Sequence, residues 1–272
     1  MKRSLLAAAL LVAFGTFAVQ AQDTSGSSKD AASSGDWAGS GEFGFAATTG
    51  NTRSQNIDAK LGLSLENDQW KNNFFLDALR SKSQQRVIDS MGVTVTQFNT
   101  TANRYDGGAS VGFKFDPRSY IVGAVRYEHD QFGANLWQGV VSLGYGYIAL
   151  KTARTELSFE IGPGYKRYQP ATLNTVVNGV TVRQVQPDVS EAVARGLVNY
   201  KYKLTDNTAF EDTVLMEAGS TDTYLQNDAG LAVTMTSKLA LKLGLQVRHH
   251  SSVLAGVKAT DTLATTNLVY KF

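Results

Sequence analysis

The chain has 272 residues, contains no cysteine, and carries 26 basic against 24 acidic residues. The lack of cysteine excludes a disulfide framework and any thiolate metal site. Without Lys2 and Arg3, which belong to the first segment below, 24 basic residues balance the 24 acidic ones. Such a neutral chain does not favour a nucleic-acid partner, and its length suits one large domain.

The first segment has the parts of a secretory signal peptide. Lys2 and Arg3 precede an apolar run from Leu5 to Val19, and small residues end at Ala21. We therefore predict a cleavable signal peptide over residues 1–21, because the run is too short and wrongly flanked for a lasting membrane helix.

The next segment, residues 22–36, is small and polar, and we expect a flexible periplasmic leader there. From Trp37 to Phe272, apolar and polar residues alternate with a period of two, which is typical of strands with one apolar face. Runs of about ten to fifteen residues are long for a soluble sheet and suit tilted membrane strands. The pattern predicts twelve strands, over residues 38–49, 54–66, 70–81, 103–115, 120–130, 137–150, 155–168, 190–204, 208–217, 223–235, 239–250 and 260–272.

The links between these strands alternate in length. Every second link is tight, as at 67–69 and 116–119, whereas the links at 82–102 and 169–189 are long. Short turns on one side and longer loops on the other are typical of outer-membrane barrels, whose short turns face the periplasm. We therefore predict an all-β chain in which residues 37–272 form a transmembrane antiparallel β-barrel of about 12 strands, with both termini periplasmic. Asn178-Gly179 predicts a hairpin tip within the second long link.

Aromatic residues are predicted to form two belts at the membrane interfaces. One set lies near the tight turns and the other near the opposite strand ends. The alternative is a soluble β-sandwich whose core aromatics are scattered. The first set is Trp70, Phe115, Tyr120, Tyr147, Tyr202, Phe210, Tyr270 and Phe272, and the second is Tyr105, Tyr127, Trp137, Tyr165 and Tyr224.

The last strand ends in Tyr270 and Phe272, separated by Lys271. Aromatic residues on the lipid face of a closing strand are the kind of signal that the barrel assembly machinery reads. We predict that Tyr270 and Phe272 form this signal, and that the last strand pairs with strand 38–49 to close the barrel.

Several spaced motifs resemble one known family. The markers are Gly41-Glu42-Phe43-Gly44, Thr49-Gly50-Asn51-Thr52, the run from Arg126 to Phe132, Gly144-Tyr145-Gly146-Tyr147, Gly162-Pro163-Gly164-Tyr165, Thr260-Asp261-Thr262 and Leu268 to Phe272. Together they resemble the YdiY-like family, described as salt-induced outer membrane proteins with a domain of unknown function. The resemblance implies an outer-membrane barrel from about Trp37 onward, and it brings no known activity, ligand or cofactor. Asn267 departs from the usual assembly signal, which has glycine there.

Many charged residues fall on the polar face of the predicted strands. Mixed signs inside a barrel can form a salt-bridge network that plugs the lumen, or line a narrow polar channel. The residues assigned to the lumen are Asp58, Lys60, Arg80, Arg104, Asp106, Lys114, Arg126, Glu128, Asp130, Glu156, Glu160, Lys166, Arg195, Glu211, Glu217, Asp228, Lys242 and Arg248.

Five of these residues are predicted to share one lumen patch. Arg126, Glu128 and Asp130 recur with a period of two on one strand, opposite Arg104 and Asp106 on its neighbour. The patch is our candidate for a lumen constriction, and ordinary interior packing is the alternative.

The sequence favours a non-catalytic barrel with a structural role or passive transport of small solutes. Its expected partners are outer-membrane lipids and the assembly machinery, without nucleic acid, metal or cofactor. The alternative is a lipid-active hydrolase, because His249 and Ser251 share the lipid-facing side near the rim.

Overall fold

The structure is a computed structural model that describes residues 37–49, 53–88, 91–177 and 180–272. The predicted signal peptide, the leader and the tip Asn178-Gly179 lie outside the described residues. The strands are β1 (Trp37–Thr48), β2 (Ser54–Glu66), β3 (Trp70–Ile88), β4 (Thr94–Lys114), β5 (Ser119–Asp130), β6 (Asn135–Lys151), β7 (Thr155–Pro170), β8 (Leu173–Val177), β9 (Val180–Gln184), β10 (Val189–Lys203), β11 (Thr208–Gly219), β12 (Thr223–Thr234), β13 (Leu239–His250) and β14 (Thr260–Lys271).

All of these strands except β8 and β9 form one closed antiparallel barrel, so the predicted fold class and strand number are confirmed. Each strand pairs with its neighbour in the chain, and β7 pairs with β10 across the β8–β9 hairpin. The ring closes where β14 pairs with β1, with Phe43 opposite Leu268 and Gly41 opposite Tyr270. Closure satisfies the backbone groups that an open sheet would leave at its edges.

Both long links contain regular structure: paired strands in 169–189, where the sequence predicted a hairpin, and strand that the sequence did not predict in 82–102. The loop expected at 82–102 is wrong, because β3 continues to Ile88 and β4 already begins at Thr94. The extra residues are mostly polar on both faces, so period-two hydrophobicity does not mark them as strand. Within 169–189, β8 and β9 pair with each other as a separate two-stranded sheet.

The pleat sends apolar side chains outward and polar ones inward. On β5, Ile121 and Val125 are about half exposed, at 51% and 50%, whereas Tyr120, Glu128 and Asp130 are buried. Successive residues of a strand face opposite sides, so one strand supplies both surfaces. In the described parts of the chain, no helix is long and apolar enough to cross a membrane.

The prediction of two interfacial aromatic belts is wrong for two residues, and the other predicted belt residues face outward or lie at strand ends. Tyr120 and Tyr224 are fully buried inside the barrel. Both fall on the inward parity of their strands, because β5 and β12 direct their even-numbered residues to the lumen. Outside, Tyr105, Tyr127 and Trp137 approach one another, with ring centroids 6.5 Å apart for each successive pair. Tyr270 and Phe272 stack at the other end, 6.2 Å apart.

Candidate functional site: the barrel lumen

The five residues predicted to share a lumen patch do lie together. Register places Arg104 opposite Asp130 and Asp106 opposite Glu128 on neighbouring strands β4 and β5. Arg126 Nη1 lies 2.9 Å from Glu128 Oε2, and Arg104 Nε lies 3.7 Å from Asp106 Oδ1. Opposite charges therefore meet where Arg104 faces Asp130 and where Arg126 pairs with Glu128, whereas the carboxylates of Asp106 and Glu128 face each other.

Ion pairs extend from this patch across the lumen. Arg248 of β13 contacts Glu128 and Asp130 of β5, and its Nη1 lies 3.1 Å from Asp130 Oδ2. Since β13 is six strands from β5 in either direction around the ring, this contact spans the barrel. The Arg126 guanidinium donates to both carboxylate oxygens of Glu217 on β11, at 2.7 and 3.2 Å.

Hydrogen bonds between polar side chains add to the ion pairs across the lumen. Arg104 Nη2 donates to Gln246 Oε1 at 2.6 Å, and Gln246 in turn donates to Asp228. The Tyr224 ring lies among cations, 4.9 Å from the Arg126 guanidinium and 5.9 Å from that of Arg248. We call this group the cross-lumen belt; its members are Arg104, Asp106, Arg126, Glu128, Asp130, Glu217, Tyr224, Gln246 and Arg248.

A second cluster lies at the end of the barrel that carries the tight turns. Glu66 lies 3.0 Å from Lys71 Nζ and 2.8 Å from the Nζ atoms of both Lys114 and Lys151. One carboxylate thus gathers three ammonium groups from β3, β4 and β6. Of these four residues, sequence reasoning had assigned only Lys114 to the lumen.

A third cluster ties two loops to the wall at the opposite end. Asp222, in the loop after β11, accepts hydrogen bonds from Lys166 Nζ at 3.2 Å and from the backbone N–H of Ser252 at 3.3 Å. Its Oδ2 lies 2.7 Å from His250 Nδ1. Burial raises the pKa of Asp222, but the hydrogen bond with His250 and the positive charge of Lys166 outweigh it and lower the pKa to about 2.

The wider set of predicted lumen charges faces inward with one error. Arg80 is exposed on the outer face of β3. The odd-numbered residues of that strand, such as Lys71, Asp77 and Leu79, face the lumen, and Arg80 has the opposite parity. Sequence reasoning also missed inward carboxylates such as Glu42, which pairs with Lys242 at 2.8 Å. Glu42 has the opposite parity to the exposed Phe43 and Phe45 on the same strand, and that alternation could have placed it in the lumen.

A small cavity of about 110 Å³ remains beside the belt. Glu42, Lys60, Glu211, Asp228 and Lys242 are among the residues that line it. The lumen therefore combines tightly paired charges with a polar space large enough for a few water molecules.

The two rim residues proposed as a hydrolase pair have other partners. His249 Nδ1 lies 2.8 Å from Thr260 Oγ1, and Ser251 Oγ accepts a hydrogen bond from Thr223 N at 2.8 Å. Ser251 Oγ also donates weakly to Asp222, at 3.5 Å. Among the described residues, the hydrogen bonds of His249 and Ser251 thus do not assemble a nucleophile and its base.

Comparison with known proteins gives a family. A family profile described as "Protein of unknown function, DUF481" matches residues 41–272. Comparison with curated protein sequences found no match.

Solved structures show distant similarity. The NanC porin is 12% identical, with a TM-score of 0.41, covering 87% of this chain and 98% of the porin. The translocator domain of the autotransporter NalP from Neisseria meningitidis is 11% identical, with a TM-score of 0.47 and coverage of 87% and 86%. An outer membrane channel from Pseudomonas putida F1 is 10% identical, with a TM-score of 0.45 and coverage of 88% and 96%. These similarities are too distant to assign a function.

Proposed function

The chain belongs to the DUF481 family of proteins of unknown function, and we propose that it is a bacterial outer-membrane barrel that passes small solutes passively through a narrow polar lumen. The proposed function does not involve catalysis. The observation that carries it is the separation of the two surfaces, with half-exposed apolar side chains outside and paired charges inside.

The membrane part of the proposal rests on the outer surface. Large aliphatic side chains such as Leu143 and Ile161 are more than 60% exposed on the outer wall. Apolar surface of this extent needs a partner, and acyl chains are the partner that a closed barrel with aromatic rings near both ends is built to meet. The predicted signal peptide and the predicted assembly signal at Tyr270 and Phe272 support delivery to the outer membrane.

The transport part of the proposal rests on the belt. Charged groups facing a lumen are costly unless they are paired or hydrated, and here both signs are present. We propose that Arg104, Asp106, Arg126, Glu128 and Asp130, together with Arg248 from the opposite wall, form the constriction. Since the signs nearly balance, we expect low conductance with little preference between cations and anions.

Single-channel recording in planar bilayers tests this proposal. We expect small, ohmic conductance steps for the unaltered protein and larger steps for Arg248→Ala, which removes the side chain that bridges β13 to β5. Arg167→Ala is the matched control, because that exposed arginine pairs with Asp188 in the loop region and is not in the belt. Absence of conductance in both the unaltered protein and Arg248→Ala would contradict the channel and leave a purely structural barrel.

The hydrolase alternative has a separate test. Purified protein is incubated with labelled phospholipid or lipopolysaccharide, and we expect no turnover. Turnover that Ser251→Ala abolishes would overturn the non-catalytic proposal.

We also propose that salt stress raises production of the protein, on the resemblance to the YdiY-like family alone. Its amount in outer-membrane fractions would be compared in cells grown at low and high sodium chloride, with a total outer-membrane protein stain as reference. An unchanged amount would contradict this part of the proposal.

A further inference from the structure

The outer wall formed by β2 to β5 carries an apolar groove of about 680 Å³. Small residues, Ala59, Ala78, Gly107 and Ala109, leave this space between larger side chains. They lie on the outward parity of their strands, so the groove faces away from the lumen. The larger outward side chains that line it are Leu61, Phe74, Leu76, Tyr105, Val125 and Tyr127.

The same face becomes basic just beyond the groove. Arg80 follows Ala78 on the outward side of β3, and Lys82 is the next outward residue. Arg53 lies level with Gln84, one outward position beyond Lys82, with its guanidinium 4.7 Å from the centre of the Phe98 ring. We call Arg53, Arg80 and Lys82 the basic rim.

All three side chains of the basic rim are positively charged. Within the described parts of the chain, no carboxylate lies within ion-pair distance of these three side chains. The neighbouring outward residues at the level of Arg80 are Ile57 on β2 and Asn103 on β4, which are uncharged. Among the described residues, an anion that approached this rim would therefore meet three cations and no competing carboxylate.

The aromatic residues show at which depth these features lie. Tyr105 and Tyr127 are outward and about half exposed, with ring centroids 6.5 Å apart, at the upper edge of the groove. Interfacial tyrosines lie where acyl chains give way to headgroups. The groove thus lies at acyl depth and the basic rim at headgroup depth.

We propose that the groove and the basic rim bind one membrane lipid with a negatively charged, phosphate-bearing headgroup. An acyl chain fills the groove, and the phosphate lies between Arg80, Lys82 and Arg53, because guanidinium and ammonium groups are strong donors to phosphate oxygens. A second copy of the chain fits less well, since a symmetric contact would bring two basic rims together. The inference rests on the membrane location proposed above.

The test compares lipids retained by the full-length protein in detergent, measured by native mass spectrometry. The probe is diphosphorylated lipid A, compared with the same lipid after removal of its phosphates and with phosphatidylcholine. We expect the unaltered protein to retain the diphosphorylated form at least about tenfold better than either comparison lipid. Equal retention of all three would overturn the proposal.

Two kinds of variant separate the rim from the groove. The triple change Arg53→Gln, Arg80→Gln and Lys82→Gln should remove the preference for phosphate, and Ala78→Trp should reduce retention of every acylated probe. Ala218→Trp, an outward alanine on the opposite wall, is the matched control and should retain lipid normally. If Ala78→Trp does not fold, as judged by heat-modifiable gel mobility, Ala59→Leu replaces it.

The outcomes distinguish this inference from the proposed function. Failure of the unaltered protein to insert into bilayers would remove the membrane proposal itself. Normal insertion and conductance with equal lipid retention by the triple variant and the unaltered protein would remove only the lipid site. A dimer that Ala78→Trp dissociates, without any change in lipid retention, would assign the groove to a second copy of the chain and overturn the proposal.

Discussion

Arg248 and Asp130 form an ion pair across the full width of the barrel, with Nη1 and Oδ2 3.1 Å apart. The two residues lie on β13 and β5, which are diametrically opposed in the ring. Both side chains are buried, and Arg248 also contacts Glu128 beside Asp130. The pair thus holds two distant walls at a set separation.

Replacing Arg248 by Met should destabilise the barrel strongly. The change leaves Glu128 and Asp130 without their cation from the opposite wall, and loss of one partner of a buried pair costs about 3–5 kcal/mol. The measurement is urea-induced unfolding in lipid vesicles. The control, Arg167→Met, breaks an exposed pair with Asp188 and should cost at most about 1 kcal/mol. Equal losses for the two variants would show that the cross-lumen pair adds nothing to stability.

Glu66→Gln should destabilise the tight-turn end more than loss of any one of its lysines. The variant leaves Lys71, Lys114 and Lys151 facing one another without the carboxylate they share, and we expect a loss of about 2–3 kcal/mol. Lys151→Gln removes only a partly exposed partner and should cost less than about 1 kcal/mol. The same unfolding assay checks both variants, and a Lys151→Gln loss as large as that of Glu66→Gln would be inconsistent with this role.

Asp222 should make stability depend on pH in the acid range. Its folded pKa of about 2 lies below the ordinary value of 3.8, so the ionised form is stabilised in the folded state. That contribution, about 2 kcal/mol, is fully present above about pH 4 and is lost as the pH falls toward 2. The urea midpoints of the unaltered protein and Asp222→Asn should therefore differ at pH 7 and converge near pH 2. A difference that stays constant over this range would exclude a depressed pKa at Asp222.

Deletion of Phe272 should impair assembly in cells. Its ring lies over Gly39 on the outer side of the seam, and its backbone N–H donates to Gly39 O at 2.9 Å. We expect the deletion variant to accumulate in the periplasm and be degraded, because both closure of the seam and the proposed assembly signal are weakened. Outer-membrane fractions followed over time measure this. Lys271→Ala leaves both features intact and should insert normally, and equal yields of the two variants would show that Phe272 acts only in ordinary strand packing.

The barrel was predictable because each strand repeats one physical rule. Alternation from Leu239 to Val247 sets the two faces of β13, and the structure keeps that register without interruption against β12 and β14. The tight turns could also be predicted, since short polar links separate adjacent runs. The polar extension of β3 beyond Ser81 could not, because neither of its faces is consistently apolar and the alternation therefore disappears from the sequence.

The period-two alternation also predicted part of the candidate site. Period two placed Arg126, Glu128 and Asp130 on one wall, but it carries no information about which residue lies across the lumen. The Arg248 contact depends on the strand count and on the stagger of the closed ring, which are properties of the whole sheet. Tyr224 was misassigned to the interfacial aromatic belt. An aromatic residue near a strand end can face either the membrane interface or the lumen, and only its parity decides between the two.

The length of the β3–β4 hairpin has a practical consequence for topology mapping. At about 3.4 Å per residue, the 19 residues of β3 extend over about 65 Å, whereas a 12-residue strand such as β5 extends over about 40 Å. The far part of the hairpin therefore projects past its neighbours as a two-stranded ribbon rich in Gln and Thr. A protease site or epitope inserted between Ile88 and Thr94 would lie beyond the neighbouring strand ends, and its accessibility on intact cells would report which end of the barrel faces outward.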